Sequence, residues 1–196
     1  MKLYGMLDSP FVRRVAISLA SQQVDFELIQ LSVFSTFEQF SQINPVVKAP
    51  TLLLDDGTYL MDSTLILQYL EHQQKLNCFV LSAQGYQLLG LTLALAEKAV
   101  QYVYETQLRR EELQNPAWKQ RVLDQAEKAC QAIEQQLQNY QLNPADQVCI
   151  SLAIVWTFIQ HKLTGLISQE SYPLITKLQQ QMEQTEFFQR YAYPQA

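Results

Sequence analysis

The sequence is poor in the groups that most often announce a function. Its 196 residues hold two histidines and three cysteines. Cys78, Cys130 and Cys149 lie far apart and no Cys-x-x-Cys pair occurs. A structural zinc site needs about four such ligands at close spacing, so no metal site is expected. An odd set of scattered cysteines, without a secretory leader, is the usage expected of a reducing, cytoplasmic setting. All three read as inert, and Cys130 and Cys149 follow the spacing of helix cores.

Charge is also scarce. Charged residues make up 17% and the formal net charge is −5. No basic stripe is available to neutralise phosphates, which argues against nucleic acid as a partner. Gln carries much of the polar surface instead, as in Gln179-Gln180-Gln181. Long hydrophobic runs are missing as well. Leu88 to Ala96 and Val148 to Ile159 are the longest. Both fall short of the roughly 20 residues a membrane helix needs, so no membrane partner is expected and they read as buried helices.

What is present is ample core material, with 48% hydrophobic residues. Lys2 to Met6 is a short strand candidate, broken at Leu7-Asp8-Ser9-Pro10. Ser9 reads as a helix N-cap with Pro10 at the first helical position. Phe11, Val12, Val15, Ala16, Leu19 and Ala20 then recur at helical spacing to about Gln22. Arg13 and Arg14 occupy the first turns, the unfavourable end for cations. The simplest reading makes them solvated or salt-bridged surface groups, unless a specific partner holds one there. Val24 to Leu31 alternates like a half-buried strand, and two strands joined by such a helix imply a parallel pair. Ser35 to Ile43 is a weak helix stopped by Asn44-Pro45. Thr51 to Leu54 and Tyr59 to Met61 flank Asp56-Gly57, a hairpin signal. Asp62-Ser63 opens a helix that runs to His72.

This β-α-β-α-β-β-α order, with Pro50 where the third strand starts, is the thioredoxin-like pattern. Everything after residue 83 reads as helix. The first runs from Ala83 to Glu112, and the second opens at Asn115-Pro116 and ends near Asn139. Asn143-Pro144-Ala145-Asp146 is a helix start, with Asn143 as cap and Asp146 as its capping-box partner. The helix it opens, to about Leu163, is apolar on nearly all sides and is expected at the centre of the helical half. Tyr172-Pro173 starts another, and Phe187, Phe188 and Tyr191 are expected to pack the tail onto the body.

Taken together, Ser9-Pro10-Phe11, Asn44-Pro45, Lys48-Ala49-Pro50, Asp62-Ser63 and Asn143-x-x-Asp146 resemble a glutathione S-transferase along essentially the whole chain. The Ser-Pro-Phe-Val-Arg-Arg run is similar to serine-type bacterial members and the plant tau class. The closing Phe188-x-Arg190 and Pro194-x-Ala196 resemble small bacterial members. The resemblance implies an α/β thioredoxin-like N-terminal domain over 1–73, a linker over 74–83 and an all-α C-terminal domain over 84–196. It implies glutathione as co-substrate, a homodimer, a role in detoxification, and attack of the glutathione thiolate on a small apolar electrophile.

The site residues follow from the same resemblance. Ser9 is the implied catalytic hydroxyl, aimed at the thiol. Asp62 would accept from the γ-glutamyl ammonium, and Ser63, at a helix N-terminus, would receive a carboxylate. Ala49, turned by a cis Pro50, would pair its backbone with the cysteinyl unit as an added strand does. Phe11, from the same motif, is implied as a glutathione-binding residue with them. Tau-class members carry a basic residue after the second strand, where this chain has Ser35-Thr36, so Lys48 is the cation expected to meet the glycyl carboxylate. Ala49 is smaller than the family's usual residue there. Tyr102, Tyr104 and Arg109 are the candidates for the electrophile pocket. Ser9 in place of a cysteine points to thiol addition or displacement over disulfide exchange. The alternative with the same fold is a non-catalytic adaptor or ligand-binding protein, as in the RNA-polymerase-associated bacterial members.

Overall fold

Strand β1 (Lys2–Tyr4) shows why the sheet is covered on both sides. Successive side chains of a strand point to opposite faces. Leu3 is fully buried in the main core, while its neighbour Tyr4 packs with Leu31 and Phe40 in a second cluster. β2 (Glu27–Ile29) pairs with β1 in parallel, and β3 (Thr51–Leu53) pairs with β1 antiparallel, Leu3 opposite Leu52. β4 (Tyr59–Met61) closes the order β2-β1-β3-β4. On the Leu3–Leu52 face lie α1 (Pro10–Ser21) and α3 (Ser63–His72). On the Tyr4 face lies α2 (Phe37–Ser41), through Phe40. The structure is a computed structural model and describes residues 1–79 and 81–194. Val80, inside the expected linker, and Gln195 and Ala196, inside the closing Pro-x-Ala, lie outside the described residues.

The strands are shorter than their sequence patterns. Val24 belongs to the turn after α1, where its N–H donates to the Leu19 carbonyl (3.0 Å), so β2 begins only at Glu27. The Asp56-Gly57 turn forms as its residues require. Gly57 takes φ 86°, and the Asp56 carboxylate accepts from the Thr58 N–H at 2.8 Å.

The helical half contains α4 (Ala83–Val103), α5 (Pro116–Leu137), α6 (Gln147–Lys162), α7 (Pro173–Glu183) and α8 (Glu186–Arg190). Ser82 caps α4 and Asn115 caps α5, each through its side-chain oxygen. In α6 every residue from Gln147 to Ile159 is buried. Truncating such a residue, for example Leu152→Ala, is expected to cost about 2–5 kcal/mol.

Three expectations are corrected. α6 is capped by Asp146, whose carboxylate accepts from the Cys149 N–H at 2.9 Å. Asn143 instead closes the preceding turn by accepting from the Ala145 N–H, so the helix starts three residues later than the proline suggests. α4 does not run on to Glu112. It widens into a π-helical turn over Tyr104–Leu108, where buried Glu105 accepts from the Asn115 N–H at the start of α5. Finally, Arg13 and Arg14 are not surface groups, being 0% and 2% exposed.

Candidate functional site

The sheet register brings the motif residues together. Tyr4 lies opposite Thr51, and Thr51 opposite Met61. The segments that follow β1, precede β3 and follow β4 therefore leave the sheet at one end. These segments carry Ser9, Lys48-Ala49-Pro50 and Asp62-Ser63 respectively.

Ser9 sits at the N-terminus of α1. Its Oγ accepts from the Val12 N–H at 3.4 Å, which leaves the hydroxyl hydrogen free to donate. Pro10 at the first helical position needs no N–H there. Phe11 turns back onto the main core. Gly5, between β1 and Ser9, adopts φ 141°, and a Cβ there would stand 2.5 Å from Val12 Cγ2 and 3.2 Å from Ala49 Cβ. Only glycine lets α1 and Ala49 approach this closely.

The segment before β3 is held by Asn44. Its amide nitrogen donates to Thr51 Oγ1 (2.8 Å), and the Lys48 carbonyl accepts from Thr51 Oγ1 at 2.7 Å. Val47 takes φ 52°, an uncommon value for a β-branched residue, and its side chain packs against the Tyr4–Leu31–Phe40 cluster. The Ala49–Pro50 peptide bond is cis. Among the described residues Ala49 makes no backbone hydrogen bond, so its N–H and C=O are available to another chain or ligand.

Asp62 also lies at positive φ, 71°. One carboxylate oxygen accepts from the Thr64 and Leu65 N–H groups, at 2.9 and 3.3 Å, and caps α3. The other stands 3.9 Å from Lys48 Nζ, both side chains being about half exposed. Backbone outliers of this kind cost roughly 1–3 kcal/mol each and concentrate at functional sites. Ser63 is buried, and its Oγ accepts from Arg14 Nη1 at 3.1 Å.

The three pocket candidates separate. Tyr104 is half-exposed, packs edge-on against Phe34 at 5.7 Å, and has its pKa raised by burial and then by the charge of Asp8, the neighbour of Ser9. Phe34 lies in the loop after β2, and because β2 is parallel to β1 that loop leaves the sheet at the Ser9 end, which places Tyr104 there too. Tyr102 packs against the main core. Arg109 turns to Glu105, Nε to Oε2 at 3.5 Å. Phe34, 57% exposed in the loop after β2, carries no periodic signal in the sequence and was not among the expected site residues. Sequence reasoning also missed Asp8, which raises the pKa of Tyr193 as well, after burial; together they push it to about 12. Among the described residues no cluster of His, Cys, Asp or Glu could hold a metal ion. No described helix is long and apolar enough to cross a membrane.

Residues 3–77 match the family model for the glutathione S-transferase N-terminal domain. An uncharacterized GST-like protein of Escherichia coli, YibF, is 37% identical over 71 residues, covering 36% of this chain and 35% of that protein. Glutathione S-transferase U7 of Arabidopsis thaliana is 34% identical over 71 residues, covering 36% of this chain and 31% of that one. These matches thus span about a third of the relatives' length. Solved structures extend the likeness in fold to the whole chain. A glutathione S-transferase of Methylobacillus flagellatus with glutathione bound superposes with TM-score 0.87 at 22% identity, over 97% of this chain and 98% of that one. A glutathione transferase family member of Pseudomonas fluorescens with bound glutathione gives 0.83 at 24% identity, over 98% of each chain. Residues 3–77 thus match the glutathione S-transferase N-terminal domain in sequence, and the chain shares its fold with solved glutathione S-transferases along nearly its whole length.

Proposed function

We propose that the chain is a glutathione-dependent transferase. Its N-terminal half binds glutathione, and the surface around Tyr104 and Phe34 receives a small apolar electrophile. One observation carries this reading: a capping hydroxyl, an unpaired peptide and a helix N-terminus converge at one end of one sheet. Glutathione is a tripeptide with an ammonium, two carboxylates and a thiol, and that end offers a partner for each. Asp62 takes the ammonium and the start of α3 at Ser63 takes the γ-glutamyl carboxylate. The free backbone of Ala49 pairs with the cysteinyl unit. Lys48 meets the glycyl carboxylate, exchanging its contact with Asp62 for one with the ligand. The glutathione-bound structures of similar fold support this choice of ligand.

The chemistry needs a thiolate. A free thiol has a pKa of about 8.5, and only the anion attacks. The thiol releases its proton to solvent; the Ser9 hydroxyl then donates its free hydrogen to the thiolate sulfur, and the N-terminus of α1 adds partial positive charge. Each unit by which they lower the pKa corresponds to about 1.36 kcal/mol. The sulfur lone pair then forms the S–C bond. The displaced pair leaves with the leaving group or, in an addition, takes up a proton. A homodimer, a cytoplasmic location and a role in detoxification belong to the same reading.

The test is thioether formation from glutathione and an activated aryl halide, followed spectroscopically. Ser9→Ala is expected to lower turnover roughly 10- to 100-fold, the loss that corresponds to one hydrogen bond to a charged group, about 1.5–3 kcal/mol. Unchanged turnover would remove the hydroxyl from the mechanism.

A further inference from the structure

Two adjacent arginines open α1, and their surroundings differ. Arg13 is neutralised by the Glu183 carboxylate at 2.7 Å. Arg14 is equally buried, yet no carboxylate stands within ion-pair distance of it among the described residues. Its Nε donates to Gln147 Oε1 at 2.8 Å, and its Nη1 to Ser63 Oγ at 3.1 Å and Thr64 Oγ1 at 2.8 Å. All three acceptors are uncharged. Nη2 is buried without a partner among the described residues. Burial draws the pKa of Arg14 down to about 10, with the neighbouring Cys78 and Asp62 acting against that shift, so it remains a cation at neutral pH. A buried cation without a counter-ion is unfavourable, and an unsatisfied buried donor calls for a specific reason.

The groups that Arg14 holds supply that reason. Ser63 and Thr64 open α3, the place proposed for the γ-glutamyl carboxylate. The Asp62 carboxylate already takes the N–H groups of Thr64 and Leu65, so the first-turn donors left for an anion are few. The Ser63 N–H makes no backbone bond among the described residues. Because Ser63 Oγ and Thr64 Oγ1 accept from the guanidinium, their own hydrogens are left to donate outward. A hydroxyl that accepts a charge-assisted bond is polarised into a stronger donor.

We propose that Arg14 is a positioning residue for the α-carboxylate of the γ-glutamyl unit: from beneath Ser63 and Thr64 it supplies the counter-charge and acts on the ligand through their hydroxyls. This rests on the glutathione reading above. A purely structural role, tying α1 to α6 through Gln147, would make no distinction between ligands with and without that carboxylate.

The experiment is calorimetric titration of the full chain with two ligands. One is glutathione. The other is 4-aminobutyryl-cysteinyl-glycine, in which a hydrogen replaces the carboxylate. Arg14→Gln is expected to weaken glutathione binding about tenfold or more and to leave the analogue within about twofold. Arg14→Lys is expected to restore part of the difference. With saturating glutathione, kcat should stay near the parent value while KM for glutathione rises. Equal losses on both ligands, or none, would overturn the proposal. If Arg14→Gln does not fold, Thr64→Val decides by the same comparison, with a loss of about threefold on glutathione alone expected. A parent chain that binds neither ligand would overturn the glutathione reading itself, and the role of Arg14 with it.

Discussion

Arg13 and Glu183 are 170 positions apart, yet their side chains meet in a two-pronged ion pair, Nη1 to Oε1 at 2.8 Å and Nη2 to Oε2 at 2.7 Å. The pair fastens α1 to α7. Glu183 also accepts from Thr157 Oγ1 in α6, and Arg13 Nε donates to the Tyr191 carbonyl at 2.9 Å. The Phe188 ring lies 5.3 Å from the guanidinium carbon. One arginine thus gathers α6, α7 and the tail around the helix that carries Ser9. Removing one partner of a buried pair leaves the other uncompensated. Glu183→Gln keeps an acceptor but loses the charge, and urea unfolding is expected to show a loss of about 2–4 kcal/mol. A loss below about 1 kcal/mol would rank the pair with surface ion pairs.

Gly5 and Gly57 make a controlled comparison. Both lie at positive φ, 141° and 86°, but a Cβ at Gly5 meets Val12 and Ala49 while one at Gly57 meets nothing within 4 Å among the described residues. Gly57→Ala should cost only the backbone term, about 1 kcal/mol. Gly5→Ala adds overpacking and should cost roughly 2–4 kcal/mol. Thermal melts of the two variants measure the difference, and equal shifts would show that the close approach at Gly5 is not tight.

Asp62→Asn separates the charge at the site from the cap. Asn caps helices as well as Asp does and tolerates positive φ. Stability should therefore stay within about 0.5 kcal/mol of the parent. Glutathione affinity should fall about tenfold as the ligand ammonium loses its counter-charge. Unaltered affinity would confine Asp62 to capping α3.

The three thiols give a pH prediction. Burial pushes Cys78, Cys130 and Cys149 each up to about 12 from a starting value of 9.0. A pKa raised on folding means that the folded chain holds protons the unfolded chain releases. The contribution is complete below the unfolded value and is lost as pH rises toward the folded one. Tyr140 and Tyr193, pushed by burial from 10.0 to about 12, act in the same direction. Unfolding free energy should therefore decline as pH climbs above 9. At neutral pH a disulfide reagent should react slowly with the native chain and with all three thiols in denaturant. One fast native thiol would contradict this burial.

Much of the fold was legible because the signals were local. Ser9-Pro10, Asn115-Pro116, Tyr172-Pro173 and Asp56-Gly57 each fix backbone geometry within a few residues, and each helix or turn lies where they placed it. Asn143-Pro144 misled because two side chains competed for capping. Asn143 satisfies the Ala145 N–H one turn early, and Asp146 then caps the helix. The π-helical turn at Tyr104 was illegible because Glu105 is held by Asn115, a partner ten positions away. Arg13 and Arg14 looked exposed for the same reason: Glu183 and Gln147 lie at least 133 positions from them. Of the candidate site, the motif residues were readable by type and order. The side chains that hold them in place, Arg14, Asn44 and Gly5, act through long-range contacts and were not.

The most direct measurement of the central claim is calorimetric titration of the full chain with glutathione. The account predicts saturable binding, one molecule per chain, with an affinity of about millimolar or tighter, and weaker binding by Asp62→Asn. No heat of binding at millimolar glutathione, from a chain shown to be folded, would contradict it and favour an adaptor built on the same fold.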